Sequence, residues 1–382
     1  MKFSLNRSDL LEPLSKVVSV LEKRQTLPIL SHVLVVVNQQ GITLTATDQE
    51  VELQTQIGFD GGSLNIEAEG GCALPGRKLL EICKHLPADA RLDFRRRDKH
   101  VVLSSGAFES QFSTLPAEDF PNIDRQGQAI QSFRIETQPF RQMLAKTVFA
   151  MAQQDVRVFL NGMLLEIGND YIRAVATDGH RMAMSTKPCT PETALESRKQ
   201  AIVPRKAVLE LGRLLDEEDE ELKLQLGTNH LRVTKGAFTL TTKLVDGQFP
   251  DYDKVVPKDA SRAISGDRNT LRQGFQRASI LSNEKYRGVR LVIADDQMTI
   301  KANNPEQDEA EEMVPVQFSG EQLEIGFNVS YLLDVLGVLS GDDVQISVSD
   351  ANSSALLEDP SGCRHAFSCR HLCALRRSIE LT

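Results

Sequence analysis

An aspartate and a histidine two positions apart, Asp178 and His180, are the residues of this 382-residue chain best placed for acid–base chemistry. They stand in Thr177-Asp178-Gly179-His180-Arg181. A carboxylate orienting an imidazole could serve a hydrolase, but that chemistry needs a nucleophile, and there is no Gly-x-Ser-x-Gly elbow. Walker loops, Gly-x-Gly-x-x-Gly and His-Glu-x-x-His are missing as well. The Thr-Asp pair recurs at Thr47-Asp48 without a histidine after it. Repetition of the aspartate alone points to a turn in which its carboxylate accepts backbone N–H bonds. No enzymatic activity is expected.

A second cluster could ligate metal. Cys363, His365, Cys369, His371 and Cys373 crowd the C-terminal segment. Their spacing fits no paired zinc-ligand pattern, and no second pair lies elsewhere to complete a site, so neither metal nor cofactor is expected. Cys72, Cys83 and Cys189 are scattered, as suits reduced thiols rather than a disulfide scaffold. The N-terminus lacks the apolar run of a signal peptide, and no stretch of eighteen apolar residues occurs. A soluble, cytoplasmic protein is expected.

The third candidate chemistry is phosphate binding. The chain is acidic, with 44 Lys+Arg against 53 Asp+Glu and a formal net charge of -9. Helical periodicity marks six segments, 7–24, 76–86, 137–153, 204–215, 268–280 and 328–340. Together they hold 15 basic and 6 acidic residues, which leaves a net -18 on the remainder. Arg77-Lys78 and Arg205-Lys206 open two of these helices at matching positions. Basic helical faces on an otherwise acidic chain suit a phosphate surface that ignores base sequence. The acidic remainder would confine a polyanion to that face.

What positions these residues is a repeat. The phrase around Asp48 returns around Asp178, 130 residues later, and in weaker form around Asn304, 126 residues further on. Pro75-Gly76-Arg77-Lys78 is echoed by Val203-Pro204-Arg205-Lys206, and Phe120-Pro121 by Phe249-Pro250. Three similar domains follow, 1–127, 128–255 and 256–382. Each has two helices and several short strands, an α+β architecture with helices on one face of antiparallel sheet. The first helix carries Leu10, Leu14, Val17 and Leu21 on one side, with Pro13 placed near its first turn, where proline is tolerated. Strands are predicted at 33–37, 42–47, 92–95, 101–104, 111–115, 158–165, 171–177, 222–226, 230–234, 238–243, 289–293 and 298–301.

With these phrases, and with Lys243-Leu244-Val245-Asp246-Gly247, Phe249-Pro250-Asp251-Tyr252 and Leu281-Ser282-Asn283-Glu284-Lys285-Tyr286-Arg287-Gly288, the chain resembles the bacterial DNA sliding clamps, the beta subunits of DNA polymerase III. The resemblance implies a homodimer of three-domain subunits closed into a six-domain ring. Helices would line a channel holding double-stranded DNA, with sheets outside. It implies partners that include the polymerase catalytic subunit, the clamp loader and other replication and repair proteins with short clamp-binding motifs. Matching positions for DNA contact are Arg24, Arg77, Lys78, Gln154, Arg205 and Lys206. The implied peptide pocket is formed by Leu160, Thr177, Gly179, His180, Arg181, Met182, Pro250, Val255 and Ser354. In it, apolar side chains form the walls, and His180 or Arg181 would meet the peptide's polar groups. The implied subunit contact involves Phe112, Ile280 and Leu281. The alternative is a repeat-built scaffold that binds peptides without encircling DNA.

The resemblance stops near Pro360. In place of the family's apolar closing strand, which forms one pocket wall, stands a Cys- and Arg-rich segment with little strand alternation. A shifted reading frame or other sequence change near Gly362 is expected. If the segment fails to form its strand, an edge of the third domain and a wall of the pocket are left open.

Overall fold

The computed structural model describes residues 1–22, 27–59, 61–123, 131–215, 220–257, 261–351 and 353–360, together with the backbone of 372–375. Among them are six α-helices: α1 (Arg7–Val18), α2 (Gly76–His85), α3 (Thr137–Ala145), α4 (Arg205–Leu214), α5 (Arg268–Ile280) and α6 (Val329–Val338). Each segment expected from periodicity contains a helix, although α1 ends at Val18 and α3 at Ala145, short of the expected 7–24 and 137–153. Each buries the apolar stripe that its spacing creates: Leu10, Leu14 and Val17 on α1, Leu271, Phe275 and Ala278 on α5. Because α1 already begins at Arg7, Pro13 falls in its second turn rather than its first. The helix tolerates the missing N–H there, at the cost of one intrahelical bond.

The repeat is visible in the hydrogen bonds themselves. The first helix of each repeat starts with a backbone bond to a distant carbonyl: Arg7 N to Ala90 O at 2.8 Å, Thr137 N to Glu220 O at 3.0 Å, Arg268 N to Asp342 O at 2.7 Å. Arg7 Nε also donates to Cys83 O at 2.5 Å, in the last turn of α2. Arg268 Nη1 does the same for Leu336 O at 3.2 Å, in the last turn of α6, and its Nε donates to Gly341 O at 2.7 Å just beyond that helix. A guanidinium is well suited to the orphan carbonyls and negative end of a helix C-terminus. Part of the helices' positive charge is therefore structural.

The chain divides into two compact units, Met1–Thr137 with Leu209–Leu244, and Gln138–Val208 with Val245–Thr382. The middle repeat is thus split between them. In the first unit a five-stranded sheet orders as Asn65–Ala68, Lys2–Asn6, Arg91–Arg97, His100–Ser105 and Phe108–Ser113. Phe3 and Phe94 stack on its inner face with centroids 4.7 Å apart. An eight-stranded sheet joins two repeats where Phe238–Lys243 pairs antiparallel with Val51–Ile57.

The second unit has a four-stranded sheet built on Glu309–Pro315, Gln297–Asn303, Gly288–Ala294 and Leu323–Asn328. Its nine-stranded sheet runs from Lys199–Pro204 through Gly162–Ile167, Tyr171–Thr177 and Arg181–Pro188 to Leu372–Leu375, and ends at Gln317–Phe318. Among the described residues all the ladders are antiparallel, which suits sheets with helices on one face.

The strand predicted before the repeated turn needs correction. The predicted strand over 158–165 is a 3-10 turn at Val158–Asn161 followed by a strand at Gly162–Ile167. Asn161 explains the break: its side chain accepts from Asp155 N at 2.9 Å and donates to Asp155 O at 2.8 Å, which closes a loop before the strand begins. The C-terminal segment, whose capacity to form a strand the sequence leaves open, contributes one. Leu372–Leu375 pairs with Arg181–Met184 on one side and with Ala355–Leu357 on the other. The sequence change expected near Gly362, and the candidate ligands Cys363, His365, Cys369 and His371, lie outside the described residues.

Candidate functional site: a cavity beside a repeated turn

The Thr177–Arg181 turn forms because a short hydroxyl and a carboxylate take over backbone bonds. Thr177 Oγ1 donates to Arg181 O at 2.7 Å and accepts from Gly179 N at 3.1 Å. Asp178 Oδ1 accepts from His180 N and Arg181 N, both at 2.9 Å. The first repeat does the same: Thr47 Oγ1 donates to Val51 O at 2.9 Å, and Asp48 Oδ1 accepts from Glu50 N and Val51 N at 2.9 and 2.7 Å. Asp178 is thus bonded to the backbone of His180, and an acid–base dyad is not what the pair builds.

Where the two turns differ, a cavity opens. The left-handed position is Gln49 in the first repeat, at φ +77°, and Gly179 in the second, at φ +89°. A Cβ on Gly179 would stand 3.2 Å from Nη2 of Arg157. The glycine therefore lets Arg157 lie against the turn, held by a bidentate pair with Asp155 at 3.0 and 2.9 Å. The Arg157 bonds hold the Asp155 carboxyl well below the ordinary range, at about 2.

The cavity has a volume of about 460 Å³, within the range of small-ligand and peptide sites. All nine pocket residues implied by sequence line it. Leu160 and Met182 form its buried floor and Thr177, Gly179, His180 and Arg181 its turn side. Pro250 and Val255 stand on a third side, with Ser354 completing the rim. Five further residues line it that the sequence reading passed over: Arg157, Phe159, Phe249, Tyr252 and Lys254. Phe249 and Tyr252 stood inside the recognised phrase Phe249-Pro250-Asp251-Tyr252, so the signal was there. A small satellite core of Leu164, Val175, Met182, Ile202, Phe249 and Tyr252 backs this wall.

Arg181 is not open to a ligand in the way its type suggests. Its Nε donates to Asp178 Oδ2 at 3.1 Å, its Nη2 to Phe149 O at 2.9 Å, and its Nη1 to Asp334 on α6. Rings of Tyr331 and Phe149 lie 4.5 and 5.2 Å from the guanidinium. His180 is exposed and remains the polar group of the turn.

The other positions are dispersed. Arg77 and Lys78 are exposed on the first turn of α2, and Arg77 donates to Leu21 O. Arg205 and Lys206 are half-buried at the start of α4, with Arg205 Nη1 3.3 Å from Val148 O. Gln154 is exposed at φ +58°. Arg24 lies outside the described residues. Phe112 is buried in the edge strand Phe108–Ser113, Leu281 is half-buried, and Ile280 at the end of α5 is 75% exposed. Among the described residues no cluster of His, Cys, Asp and Glu could hold a metal ion, and no helix is long and apolar enough to cross a membrane.

Residues 1–124, 134–251 and 253–367 match the N-terminal, central and C-terminal domains of the DNA polymerase III beta subunit. The chain belongs to the beta sliding clamp family. The beta sliding clamp of Pseudomonas putida is 49% identical over 360 residues, covering 94% of this chain and 96% of that protein. That of Escherichia coli K12 is 42% identical over 367 residues, covering 96% and 98%. A crystal structure of the Pseudomonas aeruginosa DNA polymerase sliding clamp with ligand superposes at a TM-score of 0.92 with 46% identity, covering 99% of this chain and all of that one. A second structure of a Pseudomonas aeruginosa sliding clamp, at TM-score 0.92, was solved bound to griselimycin. The three repeats are thus three clamp domains in series, and the family is one of processivity factors, not of enzymes.

Proposed function

We propose that two copies of this chain close into a ring around double-stranded DNA. The cavity beside Thr177–Met182 then holds short linear motifs of the polymerase catalytic subunit, the clamp loader and other replication and repair proteins. The observation that carries the reading is the end-to-end correspondence of three clamp repeats. With it comes one cavity lined by every pocket position the resemblance implied. The repeats are assigned to 1–127, 128–255 and 256–382, and the working compartment is the cytoplasm.

A ring retains DNA by topology, so each phosphate contact is free to be weak and exchangeable. Arg77, Lys78, Gln154, Arg205 and Lys206, with Arg24, are assigned to that surface. Phe112, Ile280 and Leu281 are assigned to the subunit contact; the 75% exposure of Ile280 fits an apolar side chain awaiting cover. The family's peptide-motif partners suit the cavity's chemistry, which is apolar on the floor with polar groups at the rim.

The test is topological. Clamp loaded on nicked circular DNA is expected to stay bound through gel filtration at elevated salt and to fall off once the circle is cut. Equal retention on circular and linear DNA would favour a scaffold that binds without encircling.

A further inference from the structure

Glu166 lies on the strand Gly162–Ile167 and is fully buried, outside the lining of the cavity. An ionised carboxylate is costly in such a place unless its oxygens are saturated. Here they are. Oε1 accepts from the hydroxyls of Tyr171 and Tyr252, at 2.9 and 2.8 Å, and Oε2 from Gln200 Nε2 at 2.7 Å. Guanidinium nitrogens of Arg198 and Arg173 stand 3.4 and 3.7 Å away. Gln200, Glu166, Arg173 and Thr186 are direct cross-strand neighbours across four strands, so the sheet register itself assembles the row.

One partner of this row belongs to the cavity. Tyr252 opens the single 3-10 turn Tyr252–Lys254, and Phe249, Pro250, Tyr252, Lys254 and Val255 together make one wall. The turn's backbone bonds are internal, Lys254 N to Asp251 O at 3.4 Å and Val255 N to Tyr252 O at 3.0 Å. What ties the wall to the sheet is apolar packing and the Tyr252 hydroxyl, which also accepts from Arg173 Nη1 at 3.0 Å. Arg198 adds a second strap, 3.8 Å from Asp253 on the same turn.

We propose that Glu166 is a positioning residue of the peptide cavity. Through the Tyr252 hydroxyl it fixes the Phe249–Val255 wall, so a carboxylate that touches no ligand sets the affinity for one. The proposal rests on the peptide-pocket reading above. Glu166→Gln keeps the shape but removes the charge behind the three bonds from Tyr171, Tyr252 and Gln200; Tyr252→Phe removes one oxygen and leaves the ring that lines the cavity.

The experiment is fluorescence anisotropy of a labelled peptide carrying the polymerase's clamp-binding motif, titrated with full-length wild type, E166Q, Y252F, the double variant and V255E. Val255 is exposed on the cavity rim, so V255E tests the pocket itself without disturbing a core. V255E is expected to lose most binding. E166Q and Y252F are each expected to weaken it about 5- to 10-fold, mainly through faster dissociation, and the double variant no more than either alone, as for members of one network. If E166Q and Y252F bind within twofold of wild type while V255E does not, the positioning role is wrong and the pocket stands. Loss of melting temperature with unchanged affinity would make Glu166 merely structural, which also overturns the proposal. If V255E binds like wild type, the pocket reading fails first.

Discussion

The guanidinium of Arg181 stacks 4.5 Å from the ring centroid of Tyr331, a residue of α6 in the following repeat. Together with the bonds to Phe149 O and Asp334, this makes Arg181 a tie between the middle and last repeats of the second unit. Its side chain is only 12% exposed. Arg181→Ala removes a cation held by two carboxylates, a carbonyl and two rings, and is expected to cost about 3 kcal/mol. Asp334, at 45% side-chain exposure, contributes far less, and Asp334→Asn is expected to stay within about 1 kcal/mol. Urea titrations followed by intrinsic tyrosine fluorescence check both; equal losses would show that the pair alone, not the stacked cage, carries the tie.

The repeated turn gives a second, paired prediction. Asp48→Ala and Asp178→Ala each strip two backbone N–H groups of their acceptor, worth about 1 to 2 kcal/mol in either repeat. Asp178→Ala should lose more stability than Asp48→Ala, because Asp178 Oδ2 also holds Arg181 Nε at 3.1 Å, and only Asp178→Ala should weaken peptide binding, because only that turn borders the cavity. An equal effect of Asp48→Ala on the peptide would argue against the assignment of the site.

How much of this was legible beforehand follows from what each feature depends on. Helix faces and the Thr-Asp turns are decided within a few residues, and they stood in the sequence. The pocket positions came from family phrases, which encode geometry already solved elsewhere. Strand pairing such as Phe238–Lys243 with Val51–Ile57 is settled only when two repeats meet, and periodicity says nothing of it. The engagement of Arg181 depends on Asp334, 153 residues away. Glu166 was the hardest to see: in Leu164-Leu165-Glu166-Ile167 a glutamate reads as a solvent-facing strand position, and its burial follows from Tyr252 closing over it.

Thiol chemistry offers a third prediction. Burial pushes the Cys83 and Cys189 thiols up to about 11, in the case of Cys83 against the opposing charge of Arg7. Burial likewise raises Cys72. Since the thiolate is the reactive form, iodoacetamide at pH 8 should label these three at least about 100-fold more slowly in the native protein than in urea. Peptide mapping by mass spectrometry reads each site separately. Native labelling of Cys83 at the unfolded rate would mean that α2 opens readily from its sheet.

Acid should weaken the second unit in a defined window. Burial alone would raise the Glu166 carboxyl, but the bonds from Gln200, Tyr252 and Tyr171 and the charge of Arg198 bring it below the ordinary glutamate value. Asp155 is held at about 2 by Arg157, and Glu312 is lowered by its bonds from Arg277. A carboxyl whose folded value is depressed contributes stability that is present above its unfolded value of about 4, and loses it as pH falls through the folded value. Tyr252 moves the other way: burial raises its phenol, which therefore stays protonated throughout the acid range. The melting temperature is thus expected to be flat near neutrality and to fall from about pH 5 toward about pH 2. E166Q should start lower at pH 7 and decline less steeply, because one of the titrating groups is gone. Parallel curves for wild type and E166Q would show that Glu166 does not titrate in this window, and that the decline belongs to the surface carboxylates alone.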